Sequence, residues 1–143
     1  MLAQSLRPHT LMATVLILAL AGCGGADAMA GQEKPITLTQ IDGEDIWRLE
    51  LSARAADRLD IQVGSVEQAG DTLAVPRAAV IIDPVGVYWV YTNPEPLVYV
   101  RHELRNVREE NGQAYFEDGP PIGTAVVTTG VPELYGAEVG IGK

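Results

Sequence analysis

The chain has 143 residues, 47% of them hydrophobic, with 19 acidic against 10 basic side chains and a formal net charge of −9. That length suits one domain, and the acidic excess excludes any broad electrostatic attraction to nucleic acid or anionic lipid head groups. Cys23 is the only cysteine, so an intrachain disulfide is excluded and stability must come from burial, which roughly 100 residues can supply.

The first element is a targeting segment. Arg7 supplies a positive charge, and Leu11 to Ala21 (LMATVLILALA) is an apolar run of eleven residues. A bilayer span needs about 20 residues, so the run reads as a secretory h-region. It ends in Leu20-Ala21-Gly22-Cys23, which resembles the lipobox of bacterial lipoproteins. The resemblance implies cleavage before Cys23 and acylation of that cysteine. Several acyl chains are needed because each buried CH₂ contributes about 0.8 kcal/mol and one chain anchors only marginally. Residues 1–22 are thus expected to be a signal peptide, and cleavage would remove one basic residue, Arg7, and no acidic one. Gly24 to Lys34 (GGADAMAGQEK) reads as the tether of a lipid-anchored segment, 23–34. Eleven flexible residues reach about 18 Å, which holds the following domain, 35–143, near an extracytoplasmic membrane surface.

Ile36 to Gln40 alternates and predicts a strand, followed by a turn at Asp42 to Asp45. Ile46 to Leu51 alternates again, with Leu49 and Leu51 on one face and Arg48 and Glu50 on the other. Ser52 is placed to cap a short helix, Ala53 to Leu59, with Ala55, Ala56 and Leu59 as its apolar side. Strands are predicted at Ile61 to Val66 and Thr72 to Val75. A hairpin joins Ala78 to Ile82 with Val87 to Tyr91 through Asp83-Pro84-Val85-Gly86, which has type I turn chemistry. Asn93 to Pro96 is expected to break the chain, because neither proline can donate to a ladder. Leu97 to Arg108 reads as one long strand, Asn111-Gly112 as a hairpin turn into Gln113 to Glu117, and Gly119 to Gly123 as a stiff loop. Ala125 to Thr129 is the last strand. The expected fold class is all-β, a small barrel or roll of short antiparallel strands with one short helix.

Beyond the targeting segment, the chemistry-bearing residues are sparse. The histidine His102 sits mid-strand, and the serines Ser52 and Ser65 lack nucleophile-elbow glycines. No Cys or His cluster suggests zinc, Asp42 to Glu50 is too short for a calcium loop, and no glycine pattern follows a strand as nucleotide binding requires. No catalytic residue, metal or cofactor is therefore expected. The aromatics are the richest feature. On one predicted strand Tyr88 and Val90 share a face, and Trp89 and Tyr91 share the other. One such face serves as core, and the other is either core as well or a partner surface.

Several of these segments together resemble the C-terminal, membrane-proximal part of periplasmic adaptor subunits, the membrane fusion proteins of resistance-nodulation-division efflux pumps. The resemblance is carried by Val75-Pro76-Arg77-Ala78-Ala79-Val80, the turn at Asp83 to Gly86, Tyr88-Trp89-Val90-Tyr91 and Val100-Arg101. It continues in Gly119 to Val127 and closes on Gly130 and Leu134; Leu51 to Val66 resembles the strand–helix–strand opening of the same region. It covers about residues 47 to 136. It implies an integral-membrane transporter as partner and is compatible with a homo-oligomer. Contact is expected through solvent-facing aromatics of the Val87 to Tyr91 strand or through the Asn93 to Pro96 loop, with Tyr88, Tyr91, Glu95 and Arg101 as the candidate contact residues. One departure is plain. Only six residues separate Val66 from Leu73, leaving no room for the lipoyl-like domain or the α-helical hairpin that lets full adaptors bridge to a channel. The alternative expectation is an envelope lipoprotein that binds a small ligand without a pump.

Overall fold

The computed structural model describes residues 34–141, with side chains through Gly140. The signal segment, and all of the tether except Lys34, lie outside the described residues.

The fold is all-β, built from two antiparallel sheets. Strands β1 (Ile36–Gln40), β2 (Trp47–Leu51), β3 (Gln62–Ser65), β6 (Val80–Ile82), β7 (Tyr88–Glu95), β8 (Val98–Leu104) and β11 (Ala125–Thr129) form a seven-stranded sheet. Its order is β1-β2-β8-β7-β11-β3, with β6 paired to the N-terminal part of β7. Strands β4 (Glu67–Ala69), β5 (Thr72–Pro76), β9 (Arg108–Glu110) and β10 (Gln113–Phe116) form a four-stranded sheet of order β4-β5-β10-β9. The sheets do not close, so the expected barrel is corrected to an open two-sheet arrangement.

The large sheet is buried on both faces at its centre. Val90 and Val126 point to one side, where they pack with Val66, Val75, Ala114 and Phe116 between the sheets. Their chain neighbours Tyr91 and Val127 point to the other side, joining Leu49, Leu51, Tyr99 and two helices. Alternation of successive side chains across a strand puts neighbouring residues into separate cores. Both faces of the aromatic strand are therefore core.

The first helix, α1 (Ala53–Arg58), is capped as expected: Ser52 Oγ accepts from the Ala55 amide at 3.2 Å, and Ala55 and Ala56 are buried. The second, α2 (Val131–Ile141), was not expected. Gly136 and Gly140 lie inside it, and each glycine lowers helix stability by about 1 kcal/mol relative to alanine. Its stability comes from docking instead. Val131, Leu134 and Glu138 fall at helical spacing and are all buried. Pro132 is tolerated because first-turn amides have no intrahelical partner, and Glu133 suits the positive end of the helix. Gly130 allows the turn into α2. Its φ is +87°, and a Cβ there would lie 2.3 Å from Ile61 Cδ1 and 3.1 Å from the Leu59 carbonyl oxygen.

Three other expectations are corrected. Ala78 and Ala79 belong to a 3₁₀ turn (Arg77–Ala79) rather than a strand, because the chain there crosses from one sheet to the other. Strand β7 does not break at Asn93 but runs to Glu95, with a register shift between Thr92 and Glu95 that accommodates Pro94. Asn93 Nδ2 bonds the carbonyls of Glu95 and Val98 at 2.7 and 2.8 Å, and the turn falls at Pro96-Leu97. Leu97 takes φ +64°, held there by packing of its side chain against the helix-side core. The long strand from Leu97 also divides. At Asn106 (φ +54°) the chain leaves β8 and enters β9 in the other sheet. The Asn111-Gly112 hairpin turn is present, with both residues at positive φ. Among the described residues, no helix is long and apolar enough to cross a membrane.

Candidate functional site

Glu138 is the one buried charged residue among those described. Helix α2 carries it over the large sheet, where Tyr91 of β7 and Arg101 of β8 are directly opposed in register. The carboxylate is fully engaged. Oε2 accepts the Tyr91 hydroxyl, Oε1 accepts the Trp47 amide at 3.3 Å, and Arg101 Nε lies 3.2 Å from Oε1. The Nε–H bond does not point along that line, and Nε has no well-aligned acceptor, so the Arg101–Glu138 contact is ionic rather than a formed hydrogen bond. Arg101 Nη2 donates to the Asp45 carbonyl at 2.8 Å.

Aromatic rings complete the setting. The Arg101 guanidinium carbon sits 4.2 Å from the Trp89 ring centroid and 6.0 Å from that of Tyr135. A cation over an aromatic face is attracted by the ring quadrupole, and guanidinium tolerates partial desolvation better than ammonium. Burial first, and then the adjoining Glu138 carboxylate, push the Tyr91 phenol far above its ordinary range, with Arg101 opposing. Tyr91 thus stays a neutral donor. The arrangement pins α2 to the sheet. It presents no activated nucleophile, and its one carboxylate is occupied by two hydrogen-bond donors and one ionic contact.

The four expected contact residues do not form one surface. Tyr91 is fully buried, which corrects its assignment to a partner interface. Arg101 is nine-tenths buried in the same cluster. Tyr88 is half-buried on the opposite face, against the core between the sheets. Glu95 is exposed at the far end of β7, paired with Arg48 at 3.3 Å. His102 is exposed, Ser65 lies on the edge strand β3, and among the described residues no three His, Cys, Asp or Glu side chains gather as metal ligands. Cys23 lies outside the described residues. Sequence reasoning missed Glu138, whose signal was its place at i+7 after Val131 and Leu134 at i and i+3.

A second organised feature is the β6–β7 hairpin turn. Asp83 Oδ1 accepts the Val85 and Val87 amides, both at 2.9 Å, and Oδ2 accepts the Trp89 indole N–H at 3.0 Å. The Gly86 amide closes the turn on the Asp83 carbonyl at 3.0 Å. Desolvation works to raise the Asp83 pKa, but the bonds from Trp89, Val87, Val85 and Gly86 outweigh it and hold the carboxyl below its ordinary 3.8. A folded-state value below the unfolded one stabilises the turn at all pH values above about 3.8, and that contribution is lost as pH falls through the lower folded-state value. The Trp89 indole N–H resonance should therefore titrate in acid with a midpoint below 3.8, and lose that titration in Asp83→Asn. A midpoint at or above the ordinary value would contradict the turn geometry.

Comparison with protein-family models, with curated proteins and with solved structures returned no match.

Proposed function

We propose that the chain is a lipid-anchored, extracytoplasmic adaptor-like subunit that binds an integral-membrane transporter of the resistance-nodulation-division type. The order of motifs from Leu73 to Leu134 carries this reading. Support also comes from the places those motifs take in the fold. Pro76 ends β5 at the crossing between sheets, Asp83 to Gly86 forms a bolted turn, Val90 and Tyr91 fill opposite cores, and Gly130 and Leu134 seat α2. The part played by the chain is binding, with no chemistry of its own. Tethered near the membrane, the domain meets a membrane partner at raised effective concentration, which favours association without a large interface. Affinity purification of the full chain from detergent-solubilised membranes should recover a transporter, and deletion should lower efflux. Recovery of soluble envelope proteins alone, with efflux unchanged, would replace this reading with the ligand-binding alternative.

The anchor is tested separately. The mature N-terminal peptide should begin at Cys23 and carry acyl chains by mass spectrometry, and Cys23→Ala should leave uncleaved precursor or release the protein from membranes. A membrane-free mature protein with an unmodified Cys23 thiol would rule out lipidation.

A further inference from the structure

Val85 stands at the tip of the β6–β7 hairpin with 84% of its surface exposed, and Ile82 beside it is 40% exposed. Ile82 is paired across the hairpin with Tyr88, and Tyr88 in turn with Leu104. An apolar row thus leads from the core between the sheets out to Ile82, at the base of the turn that carries Val85. Exposed single hydrophobes are ordinary, but this tip is braced by side-chain hydrogen bonds. One carboxylate, Asp83, bonds two turn amides and the Trp89 indole. A protruding group that is already ordered loses little freedom on binding.

The surroundings specify the partner's chemistry. Because Leu104 lies beside Tyr88, the Arg105-Asn106 bend sits at the same end of the sheet as the turn. Glu103, Glu117 and Asp118 are gathered there, with Arg105 as their counter-charge. Arg105 reaches Glu103 at 2.9 Å and Asp118 at 3.7 Å, while Glu117 is bonded only by the neutral Asn106 at 2.8 Å. The apolar tip therefore carries a net negative collar. Such a collar is repelled by an anionic membrane surface and by a second copy of itself, and it complements a basic rim.

We propose that the Ile82–Val85 tip is a preformed plug that enters an apolar socket rimmed by Lys or Arg on the extracytoplasmic face of the transporter. This deepens the transporter reading and rests on it. The test places a benzophenone photo-crosslinker at position 85 of the full chain in cells, with others at Glu95 and at Val63, an exposed apolar position on edge strand β3. Position 85 should give one discrete transporter adduct, and its cross-linked peptide should be apolar with Lys or Arg flanking it. In washed membranes the yield should fall as ionic strength rises. With the crosslinker moved to Ile82, Val85→Glu should reduce the adduct about tenfold, the loss of one hot-spot contact, while thermal stability is unchanged because Val85 is 84% exposed. A transporter adduct from Glu95 or Val63 but not from 85 would overturn the plug and leave the transporter reading standing. An adduct from 85 with a basic-rimmed soluble protein would overturn the transporter reading and keep the plug chemistry. Lipid adducts or self-adducts from 85 would overturn the plug.

Discussion

Glu138→Ala should destabilise the protein by about 3–5 kcal/mol, the range for removing one partner of a buried ion pair. The substitution leaves the Arg101 guanidinium nine-tenths buried without its carboxylate, and it orphans the Tyr91 hydroxyl and the Trp47 amide. Glu138→Gln keeps the shape and an acceptor but loses the charge, so it should cost less, about 1–3 kcal/mol. The triple change Glu138→Leu, Arg101→Met, Tyr91→Phe removes all three polar side chains at once. It should recover most of the loss, since apolar replacement of a whole buried cluster is often neutral or stabilising. Chemical denaturation of the four proteins provides the measurement. If Glu138→Ala shifts stability by less than about 0.5 kcal/mol, the usual size of a surface effect, α2 is not pinned through this residue.

The same residue explains where the sequence was legible and where it was not. Strands β1 and β2 and the capped helix α1 announced themselves because each buries one side at a regular period, while β11, buried on both faces, was legible as a short run of β-branched residues. The Asp83 and Asn111 turns were readable because the backbone conformations there demand those residue types. Helix α2 was hidden twice over. Its two glycines lower its intrinsic propensity, and its third core position is a glutamate, which breaks the apolar stripe that would reveal a helix. That glutamate is tolerated only because Tyr91, Arg101 and Trp47 arrive from three strands distant in sequence. Pro94 misled for a similar reason. A proline argues against a ladder, yet a register shift and the Asn93 amide repair the ladder around it. The same holds at Asn106, where no glycine or proline marks the crossing between sheets. Tyr91 and Arg101 were expected as partner-contact residues, and only the fold shows that both instead face an internal carboxylate.

Truncating the two cores separately should produce large and independent losses. Phe116 is 1% exposed between the sheets, and Gly119 lies so close that a Cβ there would sit 2.7 Å from both the Phe116 ring and Leu104. Walls packed this tightly cannot readily collapse into a void, so Phe116→Ala should cost about 3–5 kcal/mol. Leu134 is fully buried beneath α2 on the other side of the large sheet. Leu134→Ala should cost about 2–5 kcal/mol, and it should act differently. A helix with two internal glycines has little stability away from its docking surface, so the loss should appear as fraying. Hydrogen exchange should speed up selectively in Val131–Ile141 for Leu134→Ala and not for Phe116→Ala. The two alanine variants together would approach the whole stability of a domain, about 5–15 kcal/mol, so coupling is better read from Phe116→Leu and Leu134→Val. The two residues belong to clusters that share no member, and their effects should add within about 0.5 kcal/mol. A larger discrepancy would mean that β7 and β11, each of which feeds adjacent residues into both cores, carry strain from one face of the sheet to the other.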